Sequence, residues 1–497
     1  MAKAARPIII DWRDFSRGMS SSAFTSDGGF SPEGGGFNLY SSPGVLKRLD
    51  SRALVYNNLN GNIIASTGAQ NGAGRYFITS NNRLEYSSTS GTTLTDSKAL
   101  TGTLVKGFSD IVQFGSSSDS NIFITTNTNI IMVTVSSGVP NVVDNTWWTG
   151  TKAKMAMVSG YAHVMLVYEN ALWIADANFI HKWDGTTATY QALILPYNQA
   201  ITSLGVDPGS GKMLIGVSDA QNASGSISTT YRVLVWDGYS AKPLRSVPVD
   251  GMVTSIVNLG GTTFMCYNTR FGYWNGGGIN FIRKLNITYD ADFLIYKNRI
   301  ALVGDKILIC EGKRVLAYGE ISPGRQKNFY YIMGYTSDTN NWNVDTDYIN
   351  HVMPMSLGGG AADKGEYVGV QVTGVGSPVL SVVDLLGTTT CTENFTFVSN
   401  PYQFTNLTRV KEVVVEFDTT LVANATPVNV FVLDGVSSSA VNQNQRLTNT
   451  ANENRSRLSV TTNNLEPVMY MKLKLTSNTQ EYDTWGIIRV IIWVDEE

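Results

Sequence analysis

The sequence predicts an all-β protein, a β-propeller of about six blades followed by a C-terminal β-sandwich. Three observations predict it. Apolar runs are short, β-branched or aromatic, and bounded by Gly, Asn, Asp or Ser, with almost no helical periodicity. Hairpin-like units recur at a nearly fixed period. Charged residues make up only 15 %, against roughly 25 % in an ordinary soluble domain, and Gly, Ser, Thr and Asn fill the gap.

The repeat is read in chain order. Its members are RYFITSNNRLEY at 75–86, NIFITTNTNIIM at 121–132, ALWIADANFIHKWDG at 171–185, KMLIGVS at 212–218 rejoined by YRVLVWDG at 231–238, TFMCYNTRFGYWNG at 263–276 and KILICEGKRVLAYG at 306–319. Each is an apolar strand, a tight polar turn and a second apolar strand. The aligned positions Phe77, Phe123, Trp173, Leu214, Phe264 and Leu308 lie 46, 50, 41, 50 and 44 residues apart. A 40 to 50 residue hairpin period is the signature of propeller blades, which bury one another's faces around an axis. Three units end in Trp183-Asp184-Gly185, Trp236-Asp237-Gly238 and Trp274-Asn275-Gly276, and the last in Tyr318-Gly319. There the aromatic is expected to pack between blades and the Asp-Gly to turn the chain.

The boundaries follow from changes in rhythm: a Gly/Ser-rich N-terminal arm at 1–50, the propeller at 51–355, a Gly-rich linker at 356–366 and the sandwich at 367–497. Strands are expected at 367–372, 379–383, 410–417, 428–433, 469–475 and 486–494.

Composition and motifs exclude several functions. A net charge of -3 argues against a general nucleic-acid coat. Cys266, Cys310 and Cys391 are too few and too far apart for a disulfide framework or a zinc site. No apolar run reaches membrane-spanning length, because Arg489 interrupts the nearest one, and the N-terminus lacks a signal-peptide apolar region; synthesis and folding in a cytoplasm, or export by a route the sequence does not show, are expected. His163, His181 and His351 have no catalytic partner suggested by spacing. The segment 209–213 has Val206 where a phosphate loop needs Gly and Met213 where it needs Ser or Thr, so it is read as a hairpin turn. Asp290 with Asp292, and Asp338 with Asp345 and Asp347, lack a calcium loop's Gly and closing Glu and are read as solvated turn acids. The pairs Arg283-Lys284 and Lys47-Arg48 are read as surface charges. No cofactor is expected.

The N-terminus carries the family-like pattern. DFSRGM at 14–19 leads to DGGFS at 27–31, GFNLY at 36–40 and then Pro43, Gly44, Lys47 and Arg48; WGIIRVIIW stands at 485–493. These segments resemble the tail hub or nozzle family of short-tailed bacteriophages, also described as packaged-DNA stabilisation or tail tubular proteins. The resemblance implies a structural virion protein without enzymatic activity, assembled in the host cytoplasm as a homohexameric ring below the portal and adaptor. Its lumen would pass genomic DNA without reading sequence, closed by a needle or fibre protein until ejection. Two other readings compete: a receptor- or glycan-binding tail-tip protein, and a propeller glycosidase or lyase, for which Asp176, Asp219 and Asp305 are the candidate carboxylates.

Overall fold

The computed structural model describes residues 7–13, 15, 45–47, 52–56, 59–68, 74–88, 94, 96–115, 120–219, 230–285, 287, 296–312, 314–320, 327–334, 348–355, 367–373, 379–384, 396–421, 425, 427–436, 440–441, 445–449, 455–462, 466–477 and 485–496. The arm segments from 16 to 44, the expected linker 356–366 and the turn acids Asp290, Asp292, Asp338, Asp345 and Asp347 lie outside these residues, as do Pro43, Gly44, Arg48 and Cys391. The chain forms two compact units, Leu54–Gly312 with Thr346–Val382, and Met1–Ala53 with Lys313–Asp345 and Val383–Glu497.

Seven four-stranded sheets form a β-propeller, most of it in the first unit; two of its strands, Arg314–Glu320 and Lys327–Gly334, fall in the second. Each of the six repeat units belongs to one four-stranded sheet: blade 1 at 63–99, blade 2 at 111–144, blade 3 at 165–194, blade 4 at 199–249, blade 5 at 253–284 and blade 6 at 300–334. A further four-stranded sheet, blade 7, combines Tyr348–Met355, Tyr367–Thr373 and Val379–Asp384 with the early strand Arg52–Tyr56. The first strands of successive blades are neighbours, and that of blade 7 lies against that of blade 1, so the ring closes. Two strands expected to open the sandwich, around 367–372 and 379–383, therefore belong to a blade. Their partner lies some three hundred residues upstream, beyond the reach of any local pattern.

Packing follows the blade principle. Each cluster of buried apolar side chains spans two neighbouring sheets: Tyr76 and Leu84 with Ile124 and Val133 between blades 1 and 2, Phe123 and Ile130 with Leu172 and Ile174 between 2 and 3, and Trp173 and Leu193 with Met213 and Trp236 between 3 and 4. Between blades 4 and 5, Leu214 and Val233 meet Met265 and Tyr267; between 7 and 1, Met353 and Leu380 meet Ile63 and Phe77. Apolar faces buried between sheets, rather than on one side only, explain why the second strands read as continuous hydrophobic runs; Ala171–Asp176 and Lys306–Glu311 are buried at every position.

The second unit corrects the sandwich expectation. Its other strands form one nine-stranded hydrogen-bonded sheet in the order Pro7–Trp12, Gly486–Glu496, Tyr402–Leu421, Val468–Ser477, Val428–Asp434 and Gln445–Leu447, with three further partners off this path. It is a curled sheet, a half-barrel, and the described residues of this unit do not make the second sheet of a sandwich. The twenty-residue strand Tyr402–Leu421 is the reason: its first part pairs with Val468–Ser477, and its second part lies between Gly486–Glu496 and Arg455–Thr461. Part of the N-terminal arm is built into the same sheet. Pro7–Trp12 pairs along Gly486–Glu496, and Leu46–Lys47 pairs with Ile487 and Gly486. The Arg489 guanidinium grips Asp11 through two bonds, Nε to Oδ1 at 2.8 Å and Nη2 to Oδ2 at 2.7 Å, and reaches Glu416 at 3.4 Å. This pairing holds the Asp11 carboxyl well below the usual carboxylate range. Among the described residues, no helix is long and apolar enough to cross a membrane.

Candidate functional site

The repeat-ending residues fold the blades. Asp184 Oδ1 accepts the backbone N–H groups of Thr186 at 2.9 Å and Thr187 at 2.7 Å; Asp237 Oδ1 does the same for Tyr239 and Ser240, and Asn275 Oδ1 for Gly277 and Gly278. The following glycines Gly185, Gly238 and Gly276 take φ of 98°, 84° and 84°, a left-handed conformation that a side chain would strain. The tryptophans point inward. Trp236 packs edge to face on Trp173 of the neighbouring blade at 5.3 Å, Trp183 on Trp147 at 5.2 Å, and Trp274 is buried between blades 4 and 5. Tyr318-Gly319 differs: both residues lie inside the strand Arg314–Glu320, with Tyr318 against Phe329, so this pair marks no turn.

The segment 209–213 turns the chain between Gln199–Asp207 and Lys212–Asp219. Asp207 holds Gly209 N–H at 3.2 Å and the Ser210 hydroxyl at 2.7 Å, which is the hairpin expected.

Among the described residues, two features stand out where chemistry can gather. A cavity of about 520 Å³ opens among the first strands of blades 2 to 6, lined by 164–167, 203–206 and 254–258 with Val112, Leu302 and Lys297. Among the described residues the first strands have no partner on their inner side, so the wall consists of strand edges, aliphatic side chains and the polar Ser203, Thr254, Ser255 and Asn258. Lys297 is its one charged lining residue, and its ammonium is held by Asp110 Oδ2 at 2.6 Å and the Met165 carbonyl at 2.9 Å.

The other feature is a buried polar trio that sequence spacing did not suggest. Asp176, at the end of the second strand of blade 3, receives His181 Nε2 at 3.0 Å and faces His163 Nε2 at 3.4 Å. His181 Nδ1 accepts the Gln191 backbone N–H, while His163 Nδ1 donates to the Thr126 carbonyl of blade 2 at 2.7 Å. Burial pushes the Asp176 carboxyl up, but the hydrogen bonds from both histidines outweigh it and hold the group at about 2. The trio is fully buried and none of its members lines the cavity, although His163 directly precedes the lining residue Val164; it ties blade 2 to blade 3. The one readable clue was His181 standing five residues after Asp176 in the same hairpin.

The three carboxylates singled out for a propeller enzyme do not converge. Asp176 is in the trio, Asp219 ends the strand Lys212–Asp219, and Asp305 is exposed beside Lys306. None lines the cavity. His351 bonds the Ser66 hydroxyl at 2.8 Å across the blade 7 to blade 1 seam. Burial pushes the Cys266 and Cys310 thiols up to about 12, which removes them as thiolate nucleophiles. Among the described residues no group of His, Cys, Asp or Glu is placed to hold a metal ion. Arg283-Lys284 closes the outermost strand of blade 5.

No protein-family model matches the chain, and no curated protein matches it. Among solved structures it is similar to Raptor of Chaetomium thermophilum, at 10 % identity and a TM-score of 0.46, over 70 % of this chain and 30 % of that one. It is also similar to the β-propeller domain of Myceliophteria thermophila Cps50 (Swd1), at 8 % identity and a TM-score of 0.43, over 67 % of this chain and 99 % of that one. The chain thus spans less than a third of the length of Raptor.

Proposed function

We propose that the chain is a structural component of a tailed-bacteriophage tail, a propeller subunit that forms a nozzle or hub ring extending the DNA channel below the portal and adaptor. One observation carries the reading. The two segments that resemble the nozzle family stand at opposite ends of the sequence and are hydrogen-bonded neighbours in one sheet: Leu46 opposite Ile487 and Lys47 opposite Gly486. A resemblance confined to two unconnected stretches of composition would give no reason for that pairing. The role is passive, retaining and then releasing DNA through a cyclic assembly without turnover. It accords with a cavity whose one charged side chain is already paired and with carboxylates that do not meet. The near-neutral chain suits a lumen through which DNA slides, since strong retention needs many phosphate contacts from Lys and Arg.

The test is mass photometry and negative-stain imaging of the purified protein, alone and with portal and adaptor. A six-fold ring with an open channel is expected in at least one condition. A species that stays monomeric or trimeric in both overturns the reading and favours the receptor-binding tail-tip alternative, to which the exposed Tyr197 and Tyr239 belong.

A further inference from the structure

Tyr239 is the residue that blade packing does not explain. It directly follows a Trp-Asp-Gly ending, yet its side chain is 74 % exposed. It is also held still. Its hydroxyl donates to Glu169 Oε2 at 2.5 Å, its backbone N–H is fixed by Asp237 Oδ1 at 2.9 Å, and the Lys182 ammonium sits 5.9 Å from the ring centre. Glu169 is itself fixed from the other side, accepting the Tyr168 hydroxyl at 2.8 Å. That hydroxyl also bonds the Gly211 carbonyl of blade 4. Glu169 takes φ of 48° beside Asn170 at 56°, a left-handed pair in which the glutamate is the unusual member. The turn of blade 3 is thus bent so that one carboxylate gathers two tyrosine hydroxyls. Below it lies Trp173, whose indole N–H donates to the Tyr168 carbonyl.

The surroundings are charged but balanced. Glu169 and Asp237 are the carboxylates, and Lys182 and Lys212 the ammonium groups that act on Glu169. Tyr168 is pushed up to about 12, by burial and by its bond to Glu169, and Tyr239 is raised chiefly by its own bond to Glu169, so both keep their protons as donors. The result is a flat apolar face, pre-set in orientation, with donors and acceptors around its rim and no net charge. Such a surface matches a pyranose ring, whose C–H face stacks on an aromatic while its hydroxyls bond carboxylates and ammonium groups. An immobilised ring avoids the ordering cost that a mobile side chain would incur on binding. A polyanion is a poor match, because two carboxylates flank the ring and no basic stripe accompanies it.

We propose that Tyr239, with Glu169, Asp237, Lys182 and Lys212, forms a subsite for an uncharged saccharide on the face of blades 3 and 4. The inference holds whether or not the chain forms a ring.

The test uses the full chain and saturation-transfer difference NMR, with titrations of maltohexaose, cellohexaose and laminarihexaose and a hyaluronan oligosaccharide as the charged control. At least one neutral hexasaccharide is expected to bind with a dissociation constant of about 1 mM. Tyr239→Ala weakens it about tenfold, and Tyr239→Phe, which keeps the ring but frees it from Glu169, about threefold. The melting temperature of both variants stays at the wild-type value, because the side chain is exposed. The absence of binding to all three neutral sugars, unchanged affinity in Tyr239→Ala, or tighter binding of the hyaluronan fragment overturns the proposal.

Discussion

Where blade 3 meets blade 4, Trp173 and Trp236 pack edge to face among Ile201, Met213, Ile215 and Leu234. Where blade 7 meets blade 1, a smaller apolar cluster is joined by two buried amides. Gln371 Oε1 accepts the Ile63 N–H at 2.8 Å and Asn350 Nδ2 at 3.0 Å, and Asn350 Nδ2 also donates to the Ile63 carbonyl at 2.8 Å. The difference follows from connectivity. Blades 3 and 4 are joined by a loop of a few residues, so apolar surface of the right shape is enough to bring them together. Three strands of blade 7 lie about three hundred residues beyond blade 1, although its fourth, Arg52–Tyr56, ends only a few residues before Ile63, and the seam those three make must also select its partner against every other blade edge. Apolar contact is non-directional, whereas an amide that must satisfy a particular backbone N–H and C=O fixes one register.

Three substitutions break or sharpen this contrast. The largest effect is expected for Trp236→Ala, which empties the aromatic seam and costs about 4 kcal/mol, read from the urea midpoint. Amide exchange should quicken across blades 3 and 4 together. Next comes Gln371→Ala, which removes the acceptor of a buried backbone N–H and costs about 2 to 3 kcal/mol. Its exchange effect should concentrate at Ile63 and blade 1 and leave blades 3 and 4 protected; uniform acceleration would mean that the amides add stability without selecting the partner.

The smallest effect is a pH dependence at the seam of blades 2 and 3. Asp176 is depressed from an ordinary 3.8 to about 2, so its stabilisation is complete above pH 3.8 and is lost as pH falls through 2. The loss amounts to about 2 kcal/mol. Asp176→Asn should flatten this limb of the acid unfolding curve, and a slope unchanged by the substitution would exclude the trio as its source.

The legible part of the fold is the part made of local turns. Asp184, Asp237 and Asn275 each hold the backbone of their own turn, so their geometry is written within a few residues, and with the hairpin period it let six blades be read. Blade 7 carries no Trp-Asp-Gly ending and borrows Arg52–Tyr56, so the sequence offered no short-range sign of it, and its second and third strands read as the start of a sandwich. The strand Tyr402–Leu421 was read only at 410–417, because apolar alternation fades in its first part, where Gln403, Asn406 and Leu407 are exposed. The trio of His163, Asp176 and His181 was hidden for another reason: two of its members share a hairpin, but the third arrives on a loop from the preceding blade. Nothing in the sequence separates Tyr239 from the buried rings that pack the blades; its exposure does.

The paired ends of the chain also set a timetable for biosynthesis. Pro7–Trp12 leaves the ribosome long before its partner, Gly486–Glu496; Arg52–Tyr56 waits for blade 7. At about 5 to 20 residues per second, that second wait alone lasts roughly 15 to 60 s. During it, both strands present unpaired backbone edges beside other nascent copies on the same message. A second chain could supply the missing partner first, so the early strands invite exchange between copies, and slowing translation downstream of residue 56 should raise the yield of intertwined dimers.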